Sequence, residues 1–290
     1  MRSFSAFDMV HPALLLGAFT VIIGCTMLAI HPILLTISFV CAIAFSLYAR
    51  GWLPTAKTLA WQIPLIALCA LINPLFSAVG STELFRIGTR AVYLESVVYG
   101  ACMGLMLAAV MLWFFNATVI LTTDKVMSVM GNTMPTIGLM ISMMMRLVPQ
   151  FVARGTLITD TAHATSAAAP RTMAESTAVR LRQVSVLMGW SMEDSLETAD
   201  AMRARGWGAA TRRTTYQRYR FRSFDGIILV ILGTLSLVSI VLAWRVTERF
   251  SFFPTISPLA WWWGYAPYAL LMGLPLLIGL ADDARWRRLS

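Results

Sequence analysis

Residues 97–121 read VVYGACMGLMLAAVMLWFFNATVIL, without one charged side chain. At 1.5 Å rise per residue, a helix over this stretch outspans the roughly 30 Å hydrocarbon layer of a bilayer. Comparable stretches recur at 12–30, 33–49, 59–79, 226–244 and 259–280. Hydrophobic residues make up 58% of the 290-residue chain and charged ones 13%, with a mean hydropathy of +0.71. That balance excludes a disordered chain and a water-soluble domain, because a fold of this size has too little polar surface to cover such runs. The expected fold is all-α: a polytopic membrane bundle of about six transmembrane helices. Arg2 and Asp8 precede the first apolar run with no small-residue cleavage pattern, so that run reads as a span rather than a leader.

Between 122 and 225 the composition changes. Residues 150–222 carry eleven arginines and six acids, too polar for lipid. The expected organisation is four spans in 1–121, a cytoplasmic insert over 122–225, and a C-terminal hairpin with a short basic tail over 226–290. Residues 133–149, TMPTIGLMISMMMRLVP, are short for a span and end in Arg146 and Pro149. With this piece flat on the inner face, 19 of the 23 basic residues lie inside and 4 outside; with it as a span the division is 17 to 6. Both divisions satisfy the positive-inside rule, and the six-span arrangement, with both chain ends and the insert cytoplasmic, satisfies it better. The location expected is the cell membrane. Trp244, Trp261, Trp262, Trp263 and Tyr265 would anchor the outer interface and Trp286 the inner one.

Chemistry-bearing motifs are sparse. Gly51–Thr58 falls one glycine short of a phosphate loop, Ala56 standing where that glycine would be, and no strand precedes it. It reads as a short cytoplasmic turn with Arg50 and Lys57 near lipid phosphates. Cys25, Cys41, Cys69 and Cys102 sit singly in apolar runs, which fits packing rather than disulfides or zinc. His11, His31 and His163 form no metal or catalytic pattern. No span carries a mid-membrane carboxylate, which argues against an ion-coupled pump. Pro64 and Asn73-Pro74 interrupt the third span and leave a broken-helix substrate site open. No enzyme activity and no cofactor are expected, and the basic balance points to membrane orientation rather than nucleic acid.

The most informative stretch is Trp190–Gly208, WSMEDSLETADAMRARGWG. Ser191 with Asp194 three residues on predicts a helix start, and Glu193, Asp194 and Glu197 favour its first turns. Met192, Leu196, Ala199 and Met202 share one face. Arg203 and Arg205 close the last turn, and Gly206 suits the left-handed position beyond it. The product is a stiff rod ending in guanidinium groups, which form forked bonds with carboxylates or carbonyls.

Ala204-Arg205-Gly206, on a helix after a polar insert, resembles the transmembrane T component of energy-coupling factor transporters, the family of ATP-driven cobalt and vitamin importers. Asn73-Pro74-Leu75-Phe76 with Gly80, Met145-Arg146-Leu147-Val148-Pro149, and Arg212-Arg213 agree with that family in order, over nearly the whole chain. The resemblance implies two cytoplasmic ABC ATPase partners, which bind the ATP, and a membrane-embedded substrate-binding S component. It implies two long coupling helices, each ending in an Ala-Arg-Gly-like triplet docked on one ATPase. The second triplet falls at Ala204, Arg205, Gly206, with Met202 and Arg203 beside it. The first falls at Ala164, Thr165, Ser166, Ala167, without its arginine. Ala153-Arg154-Gly155 is a literal triplet but stands close to Pro149; Arg154 or Arg171 would be the substitutes. An ATPase pair with unlike grooves would account for the difference. Met140, Met143, Met144 and Met145 belong to a methionine run suited to adaptable contacts, here with the S component. The alternatives from the residues alone are a secondary transporter and a membrane anchor with a basic cytoplasmic lobe.

Overall fold

The computed structural model describes residues 7, 10–76, 80–87, 90–133, 135–165, 172–208, 223–254, 256–258 and 262–289. It divides into two compact units, Met1–Val126 with Tyr219–Ser290, and Met127–Arg218. Helices dominate both, and the chain is an all-α polytopic membrane protein.

The first unit is a six-helix bundle. Its elements are α1 (Pro12–Leu28), α2 (Pro32–Arg50), α3 (Trp52–Phe76), a two-stranded antiparallel hairpin of β1 (Glu83–Ile87) and β2 (Arg90–Tyr93), and α4 (Leu94–Ile120). After the insert come α8 (Ser223–Arg249) and α9 (Tyr265–Leu289). Proline opens both α1 and α2, where its missing N–H costs nothing. The core gathers Phe19, Phe45, Trp113, Tyr268 and Met272. Trp113 stacks on Phe45, and its Nε1 donates to Ser38 Oγ at 3.0 Å; Ser38 in turn shares a 2.8 Å bond with Thr26. The hydroxyls of Thr26 and Ser38 are thus satisfied within the bundle, as an apolar surrounding requires.

Several contacts fix which ends lie together. Lys125 Nζ donates to Phe7 O and Ile120 O, and His11 N donates to Asp225 Oδ1 at 3.5 Å. Tyr48 Oη donates to Gly279 O at 2.9 Å. The start of α1, the end of α2, the end of α4, the start of α8 and the later part of α9 therefore share one end of this unit. The insert leaves the bundle and returns to it at that end.

Three local expectations change. The third apolar stretch is not broken at Pro64 or at Asn73-Pro74: α3 runs through both prolines. Neighbouring-helix contacts hold it, with Gln62 Nε2 donating to Ala108 O and Asn73 Nδ2 to Ser96 O. The turn expected over Gly51–Thr58 shrinks to Gly51 alone, at φ 86°, because α3 already starts at Trp52. Trp262 and Trp263 stand before α9, whose start is Tyr265 rather than 259. The β hairpin has no counterpart in the sequence reading.

The second unit holds two long helices, α6 (Pro135–Thr165, 31 residues) and α7 (Met173–Ala204, 32 residues). A shorter helix, α5 (Thr123–Thr133), bridges the boundary between units. Residues 133–149 do not form a separate surface helix, since α6 continues through Pro149 without a break. Its segment Thr136–Ala162 is long and apolar enough to cross a membrane by length and composition.

Candidate functional site

The tip of α7 is built by its cap. Its N-terminus is at Thr172 and not at Ser191. Thr172 Oγ1 accepts from Glu175 N while Glu175 Oε2 accepts from Thr172 N, a complete capping box. Ser191 lies mid-helix, its hydroxyl donating to Met188 O at 2.8 Å. A serine there bonds back along the helix instead of starting one. At the other end Gly206 N donates to Arg203 O and Trp207 N to Met202 O, at 2.9 and 3.0 Å. With Gly206 at φ 78°, these two bonds form a Schellman cap, which a side chain at 206 would strain.

The cap presents a compact knob. Ala204, Arg205, Gly206 and Trp207 are all exposed, and Met202 is half-buried. Arg203 makes a 3.7 Å pair with Asp200, in a solvated i,i+3 setting worth little. Arg205 forms no side-chain hydrogen bond or ion pair among the described residues. The arrangement is a rigid end whose guanidinium group is available for forked bonding to another polypeptide.

Arg154 is engaged elsewhere. Its Nη2 lies 2.9 Å from Asp194 Oδ1, and its guanidinium sits 5.0 Å over the Trp190 ring. Arg154 therefore clamps α6 to α7 within the unit. Of the first expected docking stretch, Ala164 and Thr165 end α6 and are exposed; Ser166 and Ala167, like Arg171, lie outside the described residues. Thr165 Oγ1 donates back to Thr161 O, so its hydroxyl is spent on the helix.

Met140, Met143, Met144 and Met145 lie on α6 and are exposed, Met144 at 57%. They pack no core of their own. The two helices meet over a groove of about 620 Å³ lined by Leu157, Thr161, Val186 and Trp190 among others. α7 has no buried residue along its whole length, although Val179, Leu181, Val184, Val186, Met188, Met192 and Leu196 are large and apolar. The apolar surface of α7 upstream of Trp190 is the part not legible from the Trp190–Gly208 stretch. Its signal lies in Val179, Leu181, Val184, Val186 and Met188, interspersed with Arg180, Arg182 and Gln183. Among the described residues no cluster of three or more His, Cys, Asp or Glu side chains is placed to hold a metal.

No protein-family model matches the chain, and no curated protein matches it.

Proposed function

We propose that the protein is the energy-coupling transmembrane scaffold of an ATP-driven micronutrient importer. In this reading two cytoplasmic ABC ATPases dock on the helical insert, and a substrate-binding S component sits beside the bundle. The observation that carries the reading is the second unit itself. Two helices of 31 and 32 residues, clamped by Arg154–Asp194, end in an exposed, rigidly capped Arg205, and α7 buries nothing. A long stiff lever with bare apolar flanks and a cationic tip suits force transfer between partner chains, and it suits no self-contained fold. The knob at Ala204-Arg205-Gly206 would seat in one ATPase, and the stretch around Ala164-Thr165 would face the other. The exposed methionines of α6 would contact the S component.

Topology supports a cytoplasmic insert. A segment that departs and returns at one end of a bundle crosses a bilayer an even number of times, and α7 is too charged to cross. In this reading the insert, and the bundle end carrying Arg50, Lys57 and Lys125, face the cytoplasm, which the tendency of basic residues to collect inside favours. A secondary transporter loses its main support, because α3 is unbroken.

The test is co-purification of ATPase chains from the native membrane with wild-type protein and with Arg205→Glu. The expected result is loss of the ATPases, and about a hundredfold fall in uptake, with membrane insertion unchanged. Arg205→Lys is expected to fall between the two, since an ammonium cannot form the fork. Undiminished co-purification with Arg205→Glu refutes the docking role.

A further inference from the structure

The seam between α3 and α4 is closed at one end and open at the other. Gly100 and Gly104 let α3 approach until its backbone touches them. A Cβ on Gly100 would lie 2.6 Å from Cys69 O, and one on Gly104 2.8 Å from Ile66 Cα. This is the small-xxx-small packing of membrane helices. Past Ala108 the same side of α4 carries the larger side chains of Met111 and Phe115. Beside them runs a groove of about 640 Å³, lined by Trp61, Leu65, Met111 and Phe115 and, towards the start of α3, by Lys57 and Thr58.

That end is cationic. Arg50, at the end of α2, lies 5.4 Å over the Phe115 ring, and its Nη1 donates to Thr58 Oγ1 at 3.4 Å. Lys57 is exposed on the first turns of α3. Neither cation has an ion-pair partner among the described residues. An apolar trough with two uncompensated cations at one end, on the face of a membrane bundle, has the chemistry of one lipid: a negatively charged head above an acyl chain. We propose that this groove binds an anionic phospholipid, its phosphate held by Arg50 and Lys57 and one chain lying along Trp61, Leu65 and Met111. The site stands on the bundle alone and is independent of the coupling role of the insert.

The test uses the full-length chain in mild detergent, delipidated and then offered phosphatidylglycerol or phosphatidylcholine, with retained lipid read by native mass spectrometry. Each basic residue at a membrane surface strengthens anionic-lipid binding roughly fivefold, so the doubly neutralised variant Arg50→Gln/Lys57→Gln is expected to lose about 30-fold in phosphatidylglycerol retention. Its phosphatidylcholine retention should not change. Leu65→Trp fills the trough without touching either cation and is expected to abolish retention of phosphatidylglycerol; this second variant keeps the test decisive should the first fail to fold. Equal retention of the two lipids by the wild type, or full phosphatidylglycerol retention by the folded variants, overturns the proposal.

Discussion

The two units solve the problem of apolar surface in opposite ways. The bundle closes its helices on one another: Trp113, Phe45, Tyr268 and Met272 are all but sealed, and buried Thr26 and Ser38 satisfy each other. The insert leaves the apolar residues of α7 bare, and among the described residues its two helices are joined by the Arg154–Asp194 ion pair and the stacking of Arg154 on Trp190 beside an open groove. The bundle therefore has a sealed core, whereas α7 buries no residue. On the coupling role proposed above, surface the insert leaves uncovered is surface open to partners.

Truncating core residues should separate the units most sharply. Trp113→Ala removes a fully buried ring and the donor to Ser38, and is expected to cost about 3–5 kcal/mol in reversible unfolding from detergent or bicelles. Leu196→Ala, on an exposed position of α7, should stay within about 0.5 kcal/mol in the isolated chain. Equal losses would erase the distinction. Gly104→Leu comes next. The new side chain collides with the backbone at Ile66, and overpacking of this kind costs about 1–3 kcal/mol. A drop in melting temperature with wider spacing of α3 and α4, read by cross-linking, is the expected outcome.

Within the insert, Arg154→Ala is expected to loosen the helix pair by only about 1 kcal/mol, since the partners are each about 30% exposed. Disulfide trapping between α6 and α7 would report it as faster, less selective cross-linking. The smallest effect concerns His31, on the link between α1 and α2. It is buried against Phe250 and Tyr265, and its Nδ1 has no hydrogen-bond partner among the described residues. Burial lowers its pKa below the ordinary 6.5. The unfolded chain then binds the proton more readily, so stability is complete above about pH 6.5 and is lost as pH falls toward the lower folded value. His31→Asn should flatten that acid limb in a stability–pH series, and an unchanged slope would exclude His31 as its source.

Much of this contrast was legible in the residues. Uncharged runs located five of the six helices long and apolar enough to cross a membrane, because in lipid every backbone group must be bonded within its own segment; the sixth, on α6, carries Arg146 and Arg154, and the expected first span is the shorter α1. Gly206 announced the end of α7, because few other residues take a left-handed backbone. What could not be read was tertiary in origin. Pro64 and Pro74 look like breaks in isolation, and only the clasp of Gln62 and Asn73 on α4 shows why the helix persists. Ser191 with Asp194 mimics a cap, yet the helix had already begun at Thr172, where the stronger Thr–Glu box stands. Pro149 after Arg146 suggested an end, and α6 continues through it. The pairing of Arg154 with Asp194 and Trp190, some 40 residues on, is likewise tertiary and invisible in the local sequence.

The claim that the insert depends on partners is tested most directly by amide hydrogen exchange on the full chain, alone in detergent and again in the complex purified from its native membrane. The account predicts that amides of α7 exchange far faster than those of α4 in the isolated chain, and slow by about tenfold or more in the complex while α4 is unchanged. Protection of α7 already equal to that of α4 in the isolated chain, with no further slowing in the complex, would contradict it.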